Sequence, residues 1–527
     1  MSSTSKAHLR LVENTSSRNG RGEGADSGRG ELPPALEAIG EAGSSEEAFY
    51  RLQGWSQTEA ALGASAYDVE QELHRGGLEV VRLMLEENFR NRGLGDVGEA
   101  IVKKTEDGQE VRLGYRREHD RQYESIFGTI RIDRLGYGRP GDRSIHPLDE
   151  ELNLPQRRYS YVAQKRGAKL VGRGPYDEAV EEIAETTAAH VPKRQMEEIA
   201  KDAAKDFDAF YEQRSSLLPA PEQTGPILVG SFDCKGIPRL KKEEEKAEPQ
   251  PVRLGKGQKR TKKKMATVAS VHTTPPHMRA AEEVVTQLMD PDPPRRSEDK
   301  PRPENRRLWA SIKKSKDEVI EEVAEEMKRR DPNREKTAVC VTDGERALHK
   351  RAIIHLKKAF PALILVLDII HVLEYLWKAA YAFHDEGSEE ARLWVRKRLL
   401  AILHGRVSGV VAGMRQSATK QRLRGKKRKV VDKACNYFLK NKDRMRYDEY
   451  LAKGLPIASG AVEGACGHLV KDRMERTGAL WDVDKDGAEA VLRIRALDKS
   501  GDFDQYWDFH MDSEHNRLYS EEWRVAA

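Results

Sequence analysis

An α/β core interrupted by an all-α insertion, preceded by smaller helical and β units, is the fold class this helix-rich sequence predicts. Three observations carry it. Two short apolar runs with strand character each end at an aspartate, Ile227 to Asp233 and Thr337 to Asp343. A third run, Leu363 to Leu367, stops at Asp368 and reads as a buried parallel strand. Helical patterns separate these strands, and strands alternating with helices imply a core whose functional groups gather at the strands' carboxyl ends.

At 527 residues the chain exceeds one hydrophobic core, and three or more units are expected. Its 92 Lys+Arg against 87 Asp+Glu leave a net charge of only +5, so local clusters of basic residues say more about polyanionic partners than the total does. Four cysteines (Cys234, Cys340, Cys435, Cys466) lie far apart without a C-x-x-C pair. That excludes a zinc knuckle or disulfide framework and predicts reduced, mostly buried thiols. The start of the chain lacks the apolar core of a signal peptide, and the most apolar run, Leu363 to Leu373, is far short of a membrane span. A soluble, intracellular protein with no membrane partner is expected.

Residues 1–46 are rich in Ser, Gly, Arg and Glu and are expected to form a disordered tail. In 47–109, Leu78, Val81, Leu83, Met84 and Phe89 form one amphipathic stripe, which predicts a helical unit for packing or self-association. Residues 110–160 change to a period of two, with a strand pair turning at Gly128. Arg131 and Arg134 are expected outward there, as solvated charge or as a phosphate-contacting surface. Residues 161–222 hold a candidate helix-turn-helix: Pro175 opens one helix, and a second begins at Lys193-Arg194-Gln195. Lys193 and Arg194 would then meet DNA, but the acidic first helix (Asp177, Glu178, Glu181, Glu182, Glu185) suits DNA poorly, and a plain helical hairpin is the alternative.

The core is expected over 223–371. Its connector, 239–264, ends in the basic run Lys259 to Lys264, in which Lys262, Lys263 and Lys264 suit either a DNA backbone or a solubilising insertion. Residues 290–303 read as a Pro-rich loop and Leu308 to Arg330 as one charged helix. Residues 372–453 read as nearly all helix. Within them eight cations fall in 15 residues without an acid: Arg415, Lys420, Arg422, Arg424, Lys426, Lys427, Arg428 and Lys429. DNA binding is the expectation for that cluster.

In 454–500, the stretch Ala458 to Met474 places Glu463 on a helical face of otherwise small and apolar residues. A lone Glu there needs something cationic to meet it. Strand and acid, strand and acid, then helix and acid can bring Asp233, Asp343 and Glu463 to one point. Divalent metal is the usual remedy for their repulsion, and two Mg²⁺ about 4 Å apart can hold the attacking and leaving oxygens of a phosphoryl displacement. Residues 501–527, with Trp507 and Trp523, are expected to dock on the core.

Five words in this order resemble a known family: Val229-Gly230-Ser231-Phe232-Asp233, His272-Thr273-Thr274-Pro275-Pro276, Val341-Thr342-Asp343-Gly344-Glu345-Arg346, Asp368-Ile369-Ile370-His371 and Gly460-Ala461-Val462-Glu463-Gly464. The chain resembles DDE transposases of bacterial insertion sequences, in the Mutator-like superfamily, close to the ISKra group. The resemblance implies a ribonuclease-H-like core with the all-helical insertion between Asp343 and Glu463. It also implies catalysis and metal binding by Asp233, Asp343 and Glu463 with two Mg²⁺, for which Mn²⁺ can substitute. Asp233 would bridge both ions. Asp368 and His371 match a C/D-x-x-H motif and would be accessory groups, the alternative for His371 being a core histidine satisfied by Asp368.

Lys471 and Arg473, beyond Glu463, would touch DNA backbone. The implied function is binding of insertion-sequence ends, strand cleavage and joining of 3′-hydroxyls to target DNA, by a homodimer or larger assembly on double-stranded DNA in the bacterial cytoplasm and nucleoid. A nuclease without joining, or a non-catalytic DNA-binding protein, are the alternatives. The acidic residues around Trp481 depart from the family.

Overall fold

The computed structural model describes residues 32–105, 107–216, 223–240, 263–290, 301–520 and 523–526. The chain divides into a unit ending at Glu87 and a second unit from Asn88. In the first, α1 (Ala35–Ile39), α2 (Ser45–Ser56), α3 (Glu59–Gly63) and α4 (Ala66–Arg90) gather Ile39, Leu52, Trp55 and Val80 into a small core. Residues 32–46 are therefore not tail: Ala35 and Ile39 are fully buried, and the Trp55 indole donates to the Pro33 carbonyl at 2.9 Å. Residues 1–31 lie outside the described residues.

The second unit begins with β1 (Ile101–Lys104) and β2 (Glu110–Leu113), so residues 47–109 end in a strand and are not helical throughout. β3 (Tyr115–Ser125) and β4 (Gly128–Gly138) form the expected hairpin, with Gly128 at φ 120° where its turn closes. Alternation buries Ile130 and Ile132. Arg131 points outward as expected, but Arg134 is drawn in by Asp149. Five helices follow: α5 (Pro147–Glu151), α6 (Tyr161–Arg173), α7 (Tyr176–Thr186), α8 (Lys193–Asp202) and α9 (Phe207–Ser216).

The central mixed sheet comes next. In chain order it is built from β5 (Ile227–Pro238), β6 (Lys263–Thr274), α10 (Ala281–Met289), β7 (Glu304–Ser311), α11 (Lys316–Arg330), β8 (Thr337–Thr342), α12 (Arg346–Ala352), continued by a π-helical turn over Ile353–Lys357, and β9 (Ile364–Leu367). The strand order is β7-β6-β5-β8-β9. β5, β6 and β7 are antiparallel neighbours, while β8 and β9 run parallel to β5.

Residues 308–330 are not one helix. Leu308 to Ala310 are apolar and buried against β6, so they complete a strand, and the helix starts only at a capping box between Ser315 and Glu318. α11 lies on one face of the sheet, where Gly230 permits its approach: a Cβ there would meet Met327 Sδ at 2.6 Å and Val323 Cγ1 at 3.0 Å. Beneath it a fully buried ion cluster joins Arg307 to Glu326 at 2.7 Å and Glu326 to Arg330 at 2.7 Å.

The opposite face carries the insertion: α13 (Ile369–Ala380), α14 (Glu389–Leu403), α15 (Val407–Lys420), α16 (Gly425–Asn441) and α17 (Tyr447–Ala452). Its apolar residues share one core with Val229, Val339, Val341 and Val366 of the sheet. The chain returns as α18 (Gly460–Ala465), passes through a π-helical turn over Cys466–Lys471, and continues into α19 (Gly487–Ser500) and α20 (Phe503–Leu518). Phe503, Tyr506 and Trp507 are buried, and β10 (Trp523–Val525) pairs with β1, so the C-terminal segment docks within this unit. All four cysteines are free and three are buried. Among the described residues no helix is long and apolar enough to cross a membrane.

Candidate functional site

Strand register brings three acids to one level. Ser231 lies opposite Val341, and Thr342 opposite Leu367. Carrying each pairing on by one or two residues sets Asp233, Asp343 and Asp368 side by side across β5, β8 and β9. Adjacent strands stand about 4.8 Å apart, and equal register means the same face. That face is the one on which Val229 and Val341 meet the insertion.

Asp368 is the deepest of the three, with no exposure, and it caps α13. Its carboxylate accepts from the Ile370 amide at 2.7 Å, the Ser459 amide at 3.2 Å and the Ser459 hydroxyl. Ser459 also reaches Glu463 Oε1 at 3.1 Å, so one hydroxyl ties the α18 acid to the β9 acid. His371 stands on the first turn of α13. It is no core histidine: 36% of its side chain is exposed, and Nδ1 lies 4.0 Å from Glu374. One ligand atom each from Asp368, His371 and Glu463 lie within 4.8 Å of one another. The compact metal-capable group thus includes both accessory residues, with Asp233 and Asp343 beside it.

Asp233 accepts from the Cys234 amide at 2.7 Å, and the Cys466 thiol lies 3.5 Å from its Oδ2. Asp343 accepts from the Glu345 amide at 2.9 Å in a tight turn. Burial raises the Asp343 pKa above the ordinary value and the charge of Asp233 adds to it, while His371 opposes. Burial likewise raises Glu463, and Asp368 adds to it against the Ser459 hydrogen bond. Among the described residues no Lys or Arg forms an ion pair with any of the four carboxylates. Clustered oxygen donors and one imidazole, with no Lys or Arg ion-paired to them among the described residues, suit a hard divalent cation.

Ser459 and Cys466 escaped the sequence reading, yet they stand four residues before and three after Glu463 on the same helical face. That spacing is the signal that could have found them. Tyr437, whose ring packs onto Gly344 beside Asp343, has no such local signal.

The residues expected at DNA fall into three groups. Lys193 pairs with Asp177 at 2.7 Å across the α7–α8 hairpin, and Arg194 beside it is exposed. Lys263 is held by Glu475, Lys264 is exposed, and Lys262 lies outside the described residues. Arg422, Arg424, Lys426, Lys427 and Lys429 are exposed around the start of α16, whereas Arg428 bonds Asp432 at 3.1 Å.

Lys471 is exposed, but Arg473 is not a backbone contact. It is 4% exposed, donates to the Val171 carbonyl at 3.2 Å and stacks on Trp481 and Tyr176. Burial lowers its pKa to about 10. Arg473 instead anchors the acidic loop, with the Trp481 indole donating to the Met474 carbonyl.

No family model matches the chain, and no curated protein is similar to it. Among solved structures, the Drosophila P element transposase strand transfer complex is similar over 66% of this chain and 81% of that chain, at 9% identity and a TM-score of 0.25.

Proposed function

We propose that the chain is a DDE transposase of the Mutator-like, ISKra-related kind, with a ribonuclease-H-like core that cleaves insertion-sequence ends and joins 3′-hydroxyls to target DNA. The observation that carries this reading is the row of Asp233, Asp343 and Asp368 on adjacent parallel strands, met by Glu463 and, among the described residues, paired with no Lys or Arg. Supporting it, three antiparallel strands precede two parallel ones, and an all-helical insertion separates the second strand acid from the helix acid.

Asp233, Asp343 and Glu463, with Asp368 and His371 beside them, would hold two Mg²⁺. Bound there, the ions would make a water or 3′-hydroxyl a better nucleophile and stabilise the leaving oxygen. The chain's own residues set the geometry. Ser459 and the cap of α13 orient Asp368, the turn at Glu345 orients Asp343, and His371 has an exposed edge that can meet a phosphate.

The test is strand joining by purified protein with Mg²⁺ and labelled DNA carrying the sequence that flanks its gene, with Asp343→Asn beside the wild type. Joined products from the wild type alone, with DNA binding by both, support transposition. Cleavage without joining would make the chain a nuclease, and binding without either, on longer flanks too, a non-catalytic DNA-binding protein.

A further inference from the structure

His272 opens the one sequence word that the carboxylates leave unused. It lies on β6 opposite Val229 and is 5% exposed, yet its Nδ1 is buried without a hydrogen-bond partner. A buried polar nitrogen left open is costly and calls for a reason. Burial, with Arg330 and Arg306 adding to it, lowers the imidazole to about 4, so it is neutral at physiological pH.

His272 lines an open cleft of about 960 Å³ on the carboxylate face of the sheet. Ser231, two residues before Asp233 on the same side of β5, lines it too, as does Ser459, which bonds both Asp368 and Glu463. The cleft therefore opens directly beside the acids. Its rim carries Arg302 and Arg306, both exposed and forming no ion pair among the described residues. Lys499 is also at the rim, next to Asp498 at 3.3 Å. Cations at the mouth and a neutral hydrogen-bonding ring within match a nucleotide, whose phosphate is anionic and whose remaining polar edge is not.

We propose that this cleft seats a single DNA strand as it leaves the carboxylates, with Arg302 and Arg306 on its phosphates and His272 Nδ1 bonding the polar edge of one nucleotide. The assignment rests on the transposase reading and adds to it a single-stranded substrate segment and its binding residues.

The experiment measures affinity against salt for a blunt duplex and for the same duplex with a ten-nucleotide single-stranded extension. Asp343→Asn protein serves as the parent, so that no chemistry intervenes. In that background, Arg302→Ala/Arg306→Ala should bind the blunt duplex as the parent does and lose the preference for the extension, and its salt slope on the extended DNA should fall by about 1.4, two single-strand phosphates' worth. His272→Gln should weaken the extended DNA without changing the slope. Unchanged preference and slope in the double variant overturn the cleft assignment, as does a parent with no preference for the extension. A parent that binds neither DNA overturns the transposase reading itself, and the blunt-duplex arm tells the two failures apart.

Discussion

Removing one acid should make the metal-free protein more stable. Asp343 and Glu463 titrate above the ordinary carboxylate range, because burial and neighbouring acids disfavour their charged forms. Their contribution to stability is fully present below the ordinary pKa and is lost as pH rises through the raised one. At neutral pH in chelator, Asp343→Asn should therefore raise the thermal midpoint by an amount on the order of 2 °C, and Glu463→Gln should raise it by less, because that side chain is exposed and solvent screens its repulsion. The gain should vanish below about pH 4, where the wild-type groups are protonated as well. Mg²⁺ should raise the wild-type midpoint near neutrality and do much less for the variants. A variant that instead melts lower at neutral pH would mark its carboxylate as a structural cap, the role Asp368 visibly plays. At this scale the sequence was legible where position follows from a short local word: Asp233 and Asp343 follow apolar runs that become adjacent strands, and Glu463 lies in a run that becomes a helix, tied through Ser459 to Asp368. Arg473 departs from the expected DNA contact because two of its three partners, Tyr176 and Val171, lie some 300 residues away in the chain.

The insertion does more for the site than fill sequence between two acids. Tyr447 donates to the Leu367 carbonyl at 2.7 Å, and Arg444 donates to Thr342 Oγ1 at 3.1 Å. The strands leading to Asp368 and Asp343 are thus both held from one short stretch, Arg444 to Tyr447, where α16 passes into α17. Tyr437 of α16 stacks on Tyr375 of α13, with centroids 3.9 Å apart, and its ring occupies the space a side chain at Gly344 would need. Gly344→Ala should accordingly cost about 1–3 kcal/mol in denaturant unfolding and reduce strand joining while DNA binding persists. Unaltered joining would detach the α16 contact from the chemistry. Tyr447→Phe leaves a buried carbonyl unpaired, for a loss of about 1–3 kcal/mol by the same measurement. The all-helical character of this segment could be read from its periodicity, but none of these contacts could, since they join residues from 62 (Tyr375 to Tyr437) to 102 (Thr342 to Arg444) positions apart. β7 was missed for a related reason: Leu308 to Ser311 is too short to declare a period, and only burial against β6 makes it a strand.

Across the molecule, the placement of positive charge separates fold from function. α16 opens with Arg424 at its N-cap and Lys426, Lys427, Arg428 and Lys429 in its first turns. Cations there oppose the helix dipole, each at a cost of about 0.3–1 kcal/mol. Only Arg428, bonded to Asp432, has an intrahelical acid to offset this. The three lysines are exposed and form no ion pair among the described residues, and on the transposase reading proposed above they would meet a DNA backbone. Replacing Lys426, Lys427 and Lys429 with Ala together should stabilise the protein by about 1–2 kcal/mol in denaturant. The same triple variant should lose affinity for duplex DNA, with the slope of log affinity against log salt shallower by up to about 2.7, three phosphates at 0.9 each. The opposite signs make the test decisive. Stabilisation with an unchanged salt slope would leave the cluster a solvated helix end, and destabilisation would mean the lysines serve the fold. Only higher stability joined to weaker, less salt-sensitive binding fits a helix that gives up stability to meet a phosphate backbone.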